Sequence, residues 1–158
     1  MKGAREALEP LFGLPADFRL AWVFIDMMPS DTADSAIAAS GRVADARLSA
    51  FHDPGHVVGR AMARTLGWQH HVAWDTYFIY PPGARWEGDD IPAPALWFHQ
   101  LQDREIWERV AEAEVGSSDW TSALAEKSEA DPARFRTGDG LADALRLAVT
   151  SADLQKDR

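Results

Sequence analysis

The chain contains no cysteine among its 158 residues. Disulfide frameworks, thiolate metal sites and dithiol redox chemistry carried by this chain alone are therefore excluded. Long apolar runs are missing too, since none approaches the roughly 18–20 residues that a membrane-spanning helix needs. The opening MKGAREALEPLFG has no continuous apolar core, so it does not read as a secretory signal, and a cytoplasmic location is the expectation. Positive charge is scarce: 16 Lys and Arg stand against 25 Asp and Glu, a net charge of −9. That balance argues against nucleic acid or an anionic membrane as a partner held by a broad electrostatic surface. A phosphate-cradling glycine loop and a Gly-x-Ser-x-Gly elbow are both lacking. Glu87, Asp89 and Asp90 form an acidic loop without the ligand spacing of a calcium site. No cofactor, no metal and no catalytic triad is expected.

What is present is ordinary globular material. The chain is 46% hydrophobic and 26% charged, and its length suits one core. Its seven tryptophans either fill core gaps and cover loops or line an aromatic ligand cleft, in which Trp74 is a candidate.

Periodicity gives an order of elements. RLAWVFIDMM (19–28) is apolar on both alternating faces, as in a strand covered on two sides. Pro29 closes it, and Ser30 or Asp31 caps a helix running to about Ala44, with Ala33, Ile37, Ala38 and Ala44 inward. A short strand, Leu48 to Phe51, leads into FHDPGHVVGRAMARTLG (51–67), a helix entered through Asp53-Pro54 and stopped at Gly67. Its inward stripe is Val57, Val58, Ala61, Met62, Thr65 and Leu66. VAWDTYFIYPPGARW (72–86) reads as a hairpin with a Pro-Pro-Gly turn and a short return strand. ALWFHQL (95–101) is ambiguous between strand and helix. Helical patterns follow at 6–12, 103–115, 119–129 and 141–152. Alternating β and α units imply a mainly parallel sheet flanked by helices.

His52 and His56 stand four apart, the spacing of two ligands on one helical face. With Pro54 at the first helical position and Asp53 as cap, however, His52 falls outside the helix, and the imidazoles need not point the same way. His56, Arg60 and Arg64 make a basic stripe opposite the apolar one. His70 and His71 suit the helix end as surface residues. Asp26 sits near the carboxyl end of the first strand, where open α/β sheets bind ligands. Asp75 opens the hairpin strand, edge-exposed or a buried acid. Asp26, His52, Asp53, His56, Trp74 and Asp75 are thus the candidate ligand-binding residues.

In this order and spacing, residues 19–86 resemble the thioredoxin-like superfamily of thiol–disulfide oxidoreductases and peroxiredoxin-type proteins. RLAWVFIDMMPSDTADSAIAAS looks like the strand–helix unit after the active-site helix, LSAFHDPGHVVGRAMARTLGW like the next strand and helix, and WDTYFIYPPGARW like the closing hairpin. The resemblance implies a thioredoxin-like α/β domain over 1–115, with 116–158 as a polar linker and helical extension packing on it. It also implies a redox site that this chain lacks. No cysteine is present, and Ala73-Trp74 occupies the place of the family's cis-proline, so no functional residue carries over. Against the family, the strand that leads to its cysteines is expected to be missing as well, since about 18 residues precede RLAWVFIDMM. Its loss is expected to leave the strands at 19–28 and 74–80 adjacent, or separated by a gap that ALWFHQL or another subunit fills.

Three functions remain open at this point. The first is a redox-inactive domain acting by binding or self-association, with a homodimer expected and a protein partner possible. The second is a small-molecule binder with a tryptophan-lined cleft. The third is an enzyme, metal-dependent or not, using His52, Asp53, His56 and Asp26 or Asp75 in place of thiols.

Overall fold

A computed structural model describes residues 18–43, 45–68, 72–88, 90–101 and 131–153. The expected helices at 6–12, 103–115 and 119–129 lie outside the described residues, as do His70, His71 and Asp89. The architecture is α/β. In chain order the elements are β1 (Leu20–Ile25), α1 (Ala33–Ser40), β2 (Leu48–Asp53), α2 (Val57–Thr65), β3 (Thr76–Ile79), β4 (Leu96–His99), a short 3-10 turn (Pro132–Arg134) and α3 (Gly138–Asp153). No helix among the described residues is long and apolar enough to cross a membrane.

β1 and β2 pair in parallel, from Leu20 opposite Leu48 to Ile25 opposite Asp53. The β-branched and aromatic run LAWVFI suits this extended, half-covered position. β3 and β4 pair antiparallel, with Tyr77 opposite Phe98 and Phe78 opposite Trp97. No ladder joins the two pairs among the described residues.

The hairpin within 72–86 is corrected by this pairing. Pro81-Pro82-Gly83 does turn the chain, with Gly83 at φ 84°, but Ala84, Arg85 and Trp86 are exposed. Leu96–His99 takes the place beside β3, and the ambiguity of ALWFHQL resolves to a strand. The physical reason is burial on both faces. Leu96 and Phe98 join Ile79 and Tyr77 in one cluster, while Trp97 joins Phe78 and Tyr80 in another. Ala-Arg-Trp supplies no such pair of apolar faces.

These two clusters make a layered core. On one side of β3–β4, Leu141, Leu145 and Ala148 of α3 pack on Ile79 and Phe98, and Leu20 of β1 joins them. On the other side lie Met62 and Ala63 of α2 with Trp68 and Ala73, and Trp68 meets Trp97 edge-on at 5.5 Å. β3–β4 is therefore sandwiched between α2 and α3, the burial on both faces that α/β patterning predicts.

The helix limits also differ from expectation. α1 is capped by Thr32, whose hydroxyl accepts from Ser35 N at 3.2 Å while Ser35 Oγ accepts from Thr32 N at 2.9 Å. This capping box rotates the helix so that Ala36 and Ala39 are buried, leaving Ala33 and Ala38 exposed and Ile37 69% exposed. Asp31 instead accepts from the N–H groups of Met27 and Met28, closing the turn after β1. α2 ends as expected: Gly67 takes φ 77° and Trp68 N donates to Ala63 O at 2.9 Å.

Gly59 is a point of close packing on α2. A Cβ there would collide with Val72 Cγ1 and come within 2.8 Å of Ile25 Cδ1. Gly59→Val is expected to destabilise the protein by about 1–3 kcal/mol through overpacking, read from the urea midpoint. An unchanged midpoint would show that α2 does not rest on β1 and Val72 in this way.

Candidate functional site

The carboxyl ends of parallel β1 and β2 bring three of the sequence candidates together. The register places Phe24 opposite His52, so Asp26, two residues further on, lies within reach of the His52 ring. His52 Nε2 stands 2.7 Å from Asp26 Oδ1, with both side chains 26% exposed. His56 Nε2 stands 2.6 Å from the backbone oxygen of the same Asp26. A carbonyl and an ionised carboxylate only accept hydrogen bonds. In the neutral imidazoles, then, both rings carry their proton on Nε2 and present a bare lone pair at Nδ1.

The two histidines converge on one residue, although their spacing alone does not require them to point the same way. The cause lies in the helix start. Pro54 is not the first helical residue; Pro54 and Gly55 form a turn, with His56 N donating to Asp53 O at 3.3 Å, and α2 begins at Val57. His56 takes the left-handed conformation at φ 57°. This is unusual for a residue with a Cβ and costs on the order of 1–3 kcal/mol, and it swings the imidazole back over β1. His56 is thus removed from the solvated stripe with Arg60 and Arg64, both of which are exposed. Val57, expected inward, is exposed for the same reason.

Asp53 is the structural member of the group. It is 6% exposed, and its carboxylate accepts from Val57 N at 2.8 Å, Val58 N at 2.8 Å and Gly59 N at 3.1 Å. It therefore caps α2 from the end of β2, four residues before the first helical residue Val57, and its own charge fills the place where the helix N-terminus would receive an external anion.

Trp74 and Asp75 lie apart from this group, just before β3. Trp74 is half-buried, and its backbone oxygen accepts from Thr76 Oγ1 at 2.8 Å. Asp75 takes φ 45°. It keeps contact with solvent, yet the protein around its carboxyl raises its pKa, and the nearby Asp31 carboxylate acts in the same direction. The folded chain thus holds this proton more tightly than the unfolded chain, so the group's contribution to stability falls as pH rises through the acid range. Burial, with Asp75 adding to it, pushes the Tyr77 phenol up to about 12, and that hydroxyl donates to Gln100 Oε1 at 2.8 Å.

One further residue was not singled out by pattern. His99 is 2% exposed, donates from Nε2 to Asp131 O at 2.9 Å, and has a buried Nδ1 without a hydrogen-bond partner. Its position inside an apolar strand, between Trp97 and Phe135, is the only signal the sequence carried.

Among the described residues no three His, Asp or Glu side chains gather closely enough to hold a metal ion. The arrangement supplies an oriented, partly exposed imidazole backed by a carboxylate. No protein-family model matches the chain, and comparison with curated proteins and with solved structures yields no match either.

Proposed function

We propose that this chain is a non-catalytic, thioredoxin-like domain that acts by association, and that its first partner is a second copy of itself. The observation that supports this reading is the state of the strand edges. The outer edge of β4 is covered, because Phe135 bridges His99 and Arg136 N donates to His99 O at 3.0 Å. The outer edge of β2 has no ladder partner among the described residues, and Ser49, Ala50, Phe51 and His52 along it are all exposed. Phe51 is 56% exposed. An edge strand that carries a large apolar side chain and no protecting lysine or proline is a template for pairing with another chain. Two-fold pairing of β2 with its symmetry mate is the simplest closed solution.

Light scattering coupled to size exclusion tests this directly. At tens of micromolar the expected mass is that of two 17.5 kDa chains, and Phe51→Lys is expected to give the mass of one. A wild-type protein running as a single chain would overturn the proposal. A second reading, chemistry by His52 with Asp26, is favoured by the 2.7 Å pair at the strand ends, since a carboxylate that orients an imidazole is the arrangement of a general base.

A further inference from the structure

We infer that the face of β1–β2 carrying Trp22, Phe24 and His52 binds a planar aromatic molecule that bears a neutral hydrogen-bond donor. The ring lies against the Trp22–Phe24 stack and the donor is delivered to His52 Nδ1. The inference is independent of the association reading, which concerns the edge of β2 and not its face.

Three observations converge on it. Residues paired across a parallel ladder project to the same side, so the pairs Trp22–Ala50 and Phe24–His52 place both rings and the imidazole on one face. The Trp22 and Phe24 rings are stacked, with centroids 4.5 Å apart and planes 27° from parallel. Both residues are only half-buried, while Ala50 and His52 beside them are exposed. The result is an aromatic platform bordered by the small side chain of Ala50 and continuous, through Leu20 on the same face, with the cluster under α3. Offset stacking is the geometry such a platform offers a flat ligand.

The third observation selects the ligand's polar group. With its Nε2 proton committed to Asp26 at 2.7 Å, neutral His52 has only an acceptor left, and no donor among the described residues reaches Nδ1. A ligand O–H or N–H completes the ring's hydrogen bonding. A ligand anion does not, because the Asp26 carboxylate beside the imidazole repels it. Phenols and aromatic amines have the required combination of flat ring and uncharged donor. Aromatic carboxylates lack it.

The test compares two probes of the same ring, 2-naphthol and 2-methoxynaphthalene, by equilibrium dialysis against the full chain near neutral pH. Saturable binding of 2-naphthol at one site is expected, about tenfold tighter than the methoxy compound, as one net hydrogen bond allows. His52→Phe is expected to abolish that preference while the methoxy compound binds as before, and Trp22→Leu to weaken both probes alike. On the unmodified protein, the 15N resonance of His52 Nδ1 is expected to move with 2-naphthol and stay still with 2-methoxynaphthalene, a readout that needs no variant. Absence of saturable binding, equal affinities, an unmoved Nδ1 resonance, or a preference that survives His52→Phe would each overturn the assignment.

Discussion

Leu141→Ala is expected to lower the stability of the protein by about 2–5 kcal/mol and its Tm by roughly 4–20 °C. Leu141 is the most deeply buried large side chain described, 1% exposed. It stands where α3 meets Ile79 of β3 and Phe98 of β4, with Leu145 and Ala148 beside it and Leu20, Tyr77, Leu96 and Ala144 packed around the cluster. Removing its isobutyl group forfeits the transfer of about three methylene equivalents and leaves a cavity. The walls are rigid strand residues from two pairs plus a helix, so little collapse into the space is available. A loss of this size is a large share of the roughly 5–15 kcal/mol a domain keeps in reserve. Ile37→Ala on α1 provides the contrast. It removes a side chain of similar volume, but one 69% exposed, and a change within about ±0.5 kcal/mol is expected. Urea unfolding of the two variants side by side decides the matter. Equal effects would mean that α3 is not seated on the β3–β4 core as described.

Asp53→Ala is expected to cost about 2–4 kcal/mol, more than an ordinary cap, for which about 0.5–2 kcal/mol is usual. The difference comes from the number of donors involved. Three consecutive N–H groups, from Val57, Val58 and Gly59, point at one carboxylate, and Gly59 is buried. With the carboxylate gone, those of the three that water cannot reach stay unpaired, at about 1–3 kcal/mol for each such group. Asp53→Asn keeps an acceptor oxygen and is expected to lose less. Amide hydrogen exchange gives a local signature: Val57, Val58 and Gly59 should exchange faster in Asp53→Ala, while the β3–β4 amides are unchanged. A stability loss under about 0.5 kcal/mol would show that the helix start is held by something else.

Local chemistry made much of this structure legible. β1 follows from a two-faced apolar run and α2 from a capping carboxylate and a stop glycine, all of which act over a few residues. The turn at Pro81-Pro82-Gly83 was legible as well, but the strand returning to β3 was not. A turn signal says that the chain reverses and does not say how soon it pairs. Here Ala84-Arg85-Trp86 follows the turn, and Leu96–His99 makes the pair because only it brings two apolar faces. The rotation of α1 was missed for a similar reason. Ile37 looks like a core residue by hydropathy, whereas the Thr32–Ser35 box fixes which side of the helix faces inward.

The candidate site was legible as a set of residues and not as a shape. Asp53 could be read as a cap from its neighbours alone. The meeting of Asp26 with His52 depends on a parallel register between segments 26 residues apart, which no local pattern specifies. The placement of His56 depends on its positive φ. A residue with a Cβ takes that conformation only uncommonly, so no local pattern announces it.

The stretch from Asp131 to Arg136 has a consequence for how the molecule opens. It is fastened to β4 by the bridge at His99–Phe135, by hydrogen bonds from His99 Nε2 to Asp131 O at 2.9 Å and from Arg134 Nη1 to Trp97 O at 3.3 Å, and by two guanidinium groups, Arg134 over the Trp97 ring at 4.6 Å and Arg136 over Phe98 at 5.7 Å. Trp97 and Phe98 face opposite sides of the strand, so the two arginines straddle its edge like the legs of a clothes-peg. A peg holds by grip and not by a continuous ladder, so it can lift from the strand edge without disturbing the β3–β4 hydrogen bonds. Departure of 131–136 is then a sub-global event, with a free energy below that of complete unfolding. Such an opening would uncover the β4 edge together with the buried imidazole of His99, a second adhesive margin that the closed form keeps hidden.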